Sequence, residues 1–286
     1  MSSKQQIKKF NLKDLKPYSF IVIIGTRGSG KTTIIKEILY NFRHIIRTPL
    51  LVSATSQQTG AYSGIIPDLL IHEEYKPEIM EITFQNQLRL RNDMDNGKVR
   101  KDIKHVSAIV LDDFCGTNPV WKTDPSLEKL IYNGRHPYLF IIMCVQTPKD
   151  IPHKFRDNID YIFVTNISTE KRKKFLFDNF WDGKFGEFNV FINSFNSILK
   201  VKHNFIIINA GSDENNKQGN KVKDISDYIY WARARDPKTL PKKRLGNSFY
   251  WDINNKFFNK NYLMSKYSNE SVTKQQAKGP EFVLAE

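Results

Sequence analysis

Phe20-Ile21-Val22-Ile23-Ile24-Gly25-Thr26-Arg27-Gly28-Ser29-Gly30-Lys31-Thr32-Thr33 is the stretch on which the reading turns. Five apolar residues lead into a complete G-x-x-x-x-G-K-[ST] match, Gly25 to Thr32, and Ile34-Ile35-Lys36-Glu37-Ile38-Leu39 follows with helical spacing. Strand, loop and helix in that order are what a phosphate-binding loop requires. Glycines let the backbone wrap a phosphate with its N–H groups, and the helix N-terminus adds positive potential. The phosphate contacts therefore fall on Gly25, Thr26, Arg27, Gly28, Ser29, Gly30, Lys31, Thr32 and Thr33. Lys31 would reach the β and γ phosphates, and Thr32 would place its hydroxyl on Mg²⁺. Such a loop binds a triphosphate without naming the base.

Outward from the loop, short β-rich runs alternate with longer helical patterns, which predicts an α/β protein with a buried, mostly parallel sheet. Strands are expected at Ser19–Ile24, Leu50–Ser53, Ser107–Leu111, Leu139–Val145, Tyr161–Val164 and Phe205–Asn209. Helices are expected at Gly30–Phe42, Glu78–Arg91, Ser126–Tyr132 and Thr169–Phe180. The turn-rich runs 211–221 and 240–247 predict surface loops, and 268–286 predicts disorder.

A P-loop needs an acidic strand end beside it, and Ala108-Ile109-Val110-Leu111-Asp112-Asp113 supplies one. Asp112 takes the metal-shell role, since adjacent carboxylates at the end of an apolar strand are costly without a cation. Asp113 is placed to orient or deprotonate the attacking water, although an aspartate there also suits a turn into Phe114-Cys115-Gly116. The run Leu50-Leu51-Val52-Ser53 falls between Lys31 and Asp112 in sequence, and a strand inserted between the two site strands marks the additional-strand NTPases. The strand Leu139–Val145 ends in Gln146, where such motors keep a γ-phosphate sensor; an ordinary strand-end glutamine reads the same way. No N-K-x-D motif for guanine occurs.

Composition agrees with a polyanion partner. Forty-four Lys and Arg against thirty Asp and Glu give +14, with 21 basic and 14 acidic residues in 1–149 and 23 and 16 in 150–286. Nucleic acid heads the partners such a charge implies, with solubility as the plainer use of the same charge. No apolar run approaches a membrane span, and the first residues lack the apolar middle of a signal, so a soluble intracellular protein is expected. Cys115 and Cys144 are too few for a disulfide framework or a four-ligand zinc site.

Taken together, these motifs resemble the genome-packaging ATPases of large double-stranded DNA viruses, the poxvirus-type branch of the FtsK–HerA superfamily. The resemblance rests on the loop, the Leu111-Asp112-Asp113 strand end, Gly134-Arg135-His136, Gln146, Phe155-Arg156-Asp157-Asn158 before Tyr161-Ile162-Phe163-Val164, and Tyr230-Trp231-Ala232-Arg233-Ala234. It implies a RecA-like P-loop NTPase core over 17–236, with an N-terminal extension, 1–16, and a basic, aromatic-containing C-terminal extension, 237–286, that packs on the ring or touches DNA. It implies ATP and Mg²⁺, a ring of like subunits, double-stranded DNA drawn into a capsid, capsid or portal contacts, and residence in the host cytoplasm at the viral factory and in the virion. Ring NTPases complete their site with a neighbour's arginine. Arg156 and Arg135 are the candidates here, with a basic face and an ion pair as their plainer uses. The superfamily usually has Glu where this chain has Asp113, which makes the water-activating role less direct. Two other functions remain open at this point: a nucleotide- and nucleic-acid-binding module without turnover, and a P-loop small-molecule kinase, for which Lys171-Arg172-Lys173-Lys174 would be a poor lid.

Overall fold

A strand that is apolar at five successive positions must be covered on both faces, and the chain folds to provide that cover. A computed structural model describes residues 7–101, 105–116, 119–181, 187–210 and 228–258. Among these residues one sheet is built from β1 (Lys8–Lys9), β2 (Phe20–Ile24), β3 (Ile46–Val52), β4 (Ile71–His72), β5 (Val106–Leu111), β6 (Leu139–Val145), β7 (Tyr161–Val164), β8 (Asn204–Asn209) and β9 (Ile229–Arg233). Their spatial order is β1-β9-β8-β7-β2-β6-β5-β3-β4. Every pairing from β7 through β4 is parallel, β8 runs antiparallel to β7 and β9, and β1 is parallel to β9. The expected mostly parallel sheet flanked by helices is the fold.

The helices are α1 (Lys31–Phe42), α2 (Ser56–Thr59), α3 (Pro77–Asp95), α4 (Pro125–Asn133), α5 (His153–Arg156), α6 (Glu170–Leu176), α7 (Phe188–Leu199) and α8 (Ser248–Phe257). Alternate residues of β2 serve opposite layers. Ile21 and Ile23 pack with Ile34, Ile35, Ile38 and Leu39 of α1, whereas Phe20, Val22 and Ile24 join the layer containing Phe84 of α3, Leu127 and Leu130 of α4, and Phe191 and Phe195 of α7. All five β2 residues are buried, each worth about 1.5–3 kcal/mol by the usual side-chain transfer scale. Asp124 caps α4 by accepting from Ser126 N and Leu127 N, which fixes its start at Pro125.

Two expectations are corrected. The strand inserted between the P-loop strand and the acidic strand is β6, paired with both β2 and β5, whereas β3 lies outside β5. Sequence order between two motifs does not give spatial order in a parallel sheet, because each crossover can place its strand on either side. The helix expected at Thr169–Phe180 ends at Leu176 and continues as a π-helical turn, Phe177–Trp181. That wider turn puts Leu176 and Trp181 on one face, so Trp181 meets Phe191 at 4.4 Å. Elements β1, β4, β9, α2, α5, α7 and α8 were not foreseen. The loop at 211–221 and the segment 268–286 lie outside the described residues.

Both flanking extensions contribute to the same core. Lys8 and Lys9 pair with Tyr230 and Trp231, and Leu12 and Leu15 are buried. On the other side of the molecule, Leu245 N donates to Ile65 O at 2.8 Å, Trp251 Nε1 donates to Leu245 O at 2.7 Å, and Asn254 Oδ1 accepts from Leu69 N at 2.9 Å. Trp251 is 8% exposed. Replacing it by alanine should therefore cost about 3 kcal/mol of stability, the scale for a buried aromatic, measured by urea unfolding; an unchanged midpoint would detach α8 from the folded core.

Candidate active site

Five parallel strands, β3, β5, β6, β2 and β7, bring their C-terminal ends to one edge of the sheet, where ligands of open α/β sheets bind. The loop after β2 is shaped by that edge. Gly25 N donates to Val145 O at 3.2 Å, and Thr26 N and Oγ1 donate to Asn166 O at 3.1 and 3.2 Å. Thr165, at the end of β7, bonds Ser29 Oγ at 2.7 Å and Ile24 O at 3.2 Å. A Cβ on Gly25 would stand 1.7 Å from Thr165 Oγ1 and 2.5 Å from Ser29 Oγ, so the close approach of β7 excludes any side chain there. Gly28 and Gly30 adopt φ of 75° and 96°, the left-handed region that turns the loop into α1. Lys31 Nζ donates to Gly25 O at 2.8 Å and Thr26 O at 3.0 Å, which holds the ammonium across the loop.

The two expected metal ligands meet. Thr32 Oγ1 donates to Asp112 Oδ2 at 2.9 Å, joining the start of α1 to the end of β5. The same oxygen accepts from Tyr62 Oη at 2.8 Å. Asp112 is 5% exposed, and Tyr62 is fully buried, with burial foremost and Asp112 next pushing its phenol well above the usual range. One hydroxyl and one carboxylate suit Mg²⁺, a hard ion that takes oxygen ligands and completes its shell from phosphate and water. The residues fit that ion.

Asp113 sits one residue on, exposed, with φ 53°, and its Oδ2 accepts from Thr55 Oγ1 at 3.2 Å. Gln146 is exposed at the end of β6, the strand between the loop and the acids. Sequence reasoning missed Thr55, Tyr62, Thr165 and Asn166. Thr55, Thr165 and Asn166 are ordinary polar residues just beyond strand ends, where only the gathering of strand ends at one edge could have found them, and Tyr62, in the stretch after α2, carries no local signal at all.

The two arginines lie elsewhere. Arg135 Nη2 donates to Asp160 Oδ1 at 2.7 Å, and Asp160 Oδ2 accepts from Phe20 N at 2.8 Å. That pair marks the N-terminal ends of β2 and β7, a strand length of about 17 Å from the loop at 3.3 Å per residue. Arg135 thus cannot reach its own subunit's phosphate. Arg156 donates through Nε and Nη2 to Ile151 O and through Nη1 to Asn179 Oδ1, and lies over Phe175 and Phe180 at 5.5 and 5.4 Å. Burial lowers its pKa below the ordinary arginine value.

Beside the loop opens a cleft of about 500 Å³, lined by Gly28–Gly30, Thr33, Ile34, Thr165, Asn166, Val201–Asn204 and Asp236–Lys238. Its size falls in the range of small-molecule sites. Of the two thiols, Cys115 in the loop after β5 is pushed up to about 12 by burial, with Asp150 next, and burial raises Cys144 of β6 as well.

The family described as Poxvirus A32 protein matches residues 7–241. Protein L437 of Acanthamoeba polyphaga mimivirus, itself uncharacterized, is 26% identical over 266 residues, covering 93% of this chain and 88% of its own. Among solved structures, the conjugation coupling protein TcpA of pCW3, bound to ATPγS, aligns with TM-score 0.50 and 15% identity over 90% of this chain and 66% of its own; it shares the fold. The genome packaging NTPase B204 of Sulfolobus turreted icosahedral virus 2 aligns with TM-score 0.45 and 14% identity over 69% and 95%.

The glycine geometry gives a paired test. Gly25→Ala should weaken nucleotide binding about tenfold or more, about 1.4 kcal/mol, because its Cβ collides with the β7 brace. Gly116→Ala, whose Cβ meets nothing within 4 Å, should bind as wild type. Equal affinities for all three proteins in a titration with fluorescent ATP would show that the loop does not hold the phosphates.

Proposed function

The chain belongs to the poxvirus A32 protein family, and from that premise we propose that it is an ATP-hydrolysing motor that moves double-stranded DNA into a viral capsid. The observation that carries the reading is the 2.9 Å bond between Thr32 and Asp112. It joins the phosphate loop to the acidic strand across an inserted strand that itself ends in a glutamine at the same edge.

The steps follow from the side chains. Backbone N–H groups of the loop receive the phosphates at the start of α1. Lys31 exchanges its bonds to Gly25 and Thr26 for phosphate oxygens and follows the charge that grows on the transferring group. Thr32 and Asp112 would hold Mg²⁺, which neutralises phosphate charge when bound. Asp113 orients the attacking water and accepts its proton, with Thr55 fixing one carboxylate oxygen. Gln146 aligns the water or the γ-phosphate. The cleft at Val201–Asn204 and Asp236–Lys238 seats the nucleoside. Arg156, backed by two rings, is the arginine offered to the neighbouring subunit of a ring, and capsid or portal proteins dock outside this site. The work takes place in the host cytoplasm at the viral factory, and subunits retained on the particle would place it in the virion.

A kinase would need a mobile cationic lid. Lys173 instead bonds Asn196 and Lys174 pairs with Asp178, both at 2.9 Å, which ties the basic run of α6 to α7 and to the π-helical turn.

The decisive experiment is ATPase rate with and without double-stranded DNA. Stimulation is expected, and binding to two unrelated duplexes should be equal, since a motor that contacts phosphate ignores sequence. Log affinity should fall with log salt by about 0.9 per phosphate contact. Turnover indifferent to DNA, or a flat salt response, would count against a DNA motor.

A second comparison separates the acids. Asp113→Asn should keep Mg²⁺-dependent nucleotide binding and lose turnover by about 10²-fold or more, the scale of a lost general base. Asp112→Asn should weaken the Mg²⁺-dependent part of binding. Identical magnesium titrations for the two variants would refute the division of roles. For the arginine, inactive Arg156→Ala and Lys31→Ala subunits should regain activity when mixed, and mixed rings without recovery would place Arg156 outside the neighbour's site.

A further inference from the structure

Tyr62 lies 50 residues from Asp112 in sequence, in the stretch after α2. No part of it is exposed, and its ring packs with the α1 layer of the core, one face under the Lys36 ammonium at 5.6 Å. A buried phenol needs an acceptor, and an unremarkable one would be a backbone carbonyl. This hydroxyl is instead spent on the carboxylate read above as the metal ligand, at 2.8 Å, on the same oxygen that Thr32 uses at 2.9 Å.

We propose that Tyr62 is a positioning residue for the metal site, fixing the rotation of the Asp112 carboxylate so that Asp112 and Thr32 present their oxygens together. The proposal rests on the assignment of Asp112 and Thr32 as the metal pair. Two donors fill one oxygen of the carboxylate and thereby fix its plane. Thr32 must share its hydroxyl oxygen with an ion, whereas Tyr62 is no ligand in that assignment and its ring is held in the core, so its bond to Asp112 is the one that stays constant through the cycle. Rigidity comes from burial: with the ring locked in the core, the hydroxyl cannot follow a carboxylate that turns away. Partners of this kind, one bond behind the ligand, set metal affinity by orienting what touches the metal.

The test is Tyr62→Phe, which removes one oxygen, keeps the ring in the core, and leaves Asp112 Oδ2 its bond from Thr32. Binding of a fluorescent ATP analogue is titrated at fixed protein, first without divalent ion and then over a magnesium series, alongside thermal melting. Metal-free affinity should match wild type, while the Mg²⁺ concentration for half-maximal strengthening should rise about tenfold, the low end for loss of such a partner. A tyrosine that merely fills the core would move the melting temperature and leave the magnesium midpoint in place, and that result overturns the proposal. So does metal-free binding that weakens as much as the magnesium-dependent part, because Tyr62 would then support the loop and not the metal pair. If Asp112→Asn retains full magnesium strengthening, the metal assignment itself fails and the proposal with it; a magnesium effect lost in Asp112→Asn but unmoved in Tyr62→Phe removes the proposal alone.

Discussion

One carboxylate oxygen, Oδ2 of Asp112, holds together three segments that are distant in sequence: the start of α1 through Thr32, the end of β5, and the stretch after α2 through Tyr62. A nearly buried carboxylate is expensive unless it is hydrogen-bonded, so these segments are not free to drift apart. The loop is fixed from the other side by Thr165 and Asn166 of the β7 end. Between the two anchors runs β6, and its exit delivers Gln146 to the same edge. The geometry of the site is thus a consequence of satisfying buried polar groups at the ends of parallel strands.

That dependence explains what could be read from the chain before its structure. The phosphate loop, the acids at 112 and 113 and six of the strands were legible, because an unbroken apolar run such as Phe20–Ile24 or Leu139–Val145 has few other uses. The site residues in those motifs carry their chemistry in residue type and spacing. Tyr62 and Thr55 carry none. They reach the two acids only because β3 lies beside β5, and lateral order is set by crossovers that leave no local mark. The same gap misled the choice of inserted strand: Leu50–Val52 is between the motifs in sequence, but β6 is between them in space. Strand β9, with Tyr230 and Trp231 half-buried and Arg233 exposed, lacks the continuous apolar run of the central strands, and α7 has no charged residue to mark a polar face.

The arginines show how much electrostatic function depends on what holds a charge still. Arg135 is tied to Asp160, which also accepts from the first N–H of β2, so the pair fastens the start of the strand whose end carries the loop. Arg156 is held by a carbonyl, an amide oxygen and two aromatic faces, partners that restrain a guanidinium without cancelling its charge. A cation meant to meet an incoming anion is better kept in the second manner, since a carboxylate partner would have to be surrendered first. The aromatic faces come from Phe175 and Phe180, on either side of the point where α6 gives way to the π-helical turn, so the widened turn that seats Trp181 also shapes the bed for Arg156.

The same reasoning bears on the aspartate at 113, where the superfamily this chain resembles usually has glutamate. Its backbone is left-handed, φ 53°, a conformation that costs most L-residues about 1–2 kcal/mol and that aspartate, with a short side chain able to bond locally, enters more readily. The chain needs that turn, because Phe114, directly after it, is fully buried against Trp121. A longer acid would reach further towards a phosphate but would sit less easily on this backbone. The short one reaches less far and is steadied by Thr55. The short side chain and the left-handed turn therefore go together, and in the proposed mechanism the reach that is lost would be made up by the water that Asp113 is to orient.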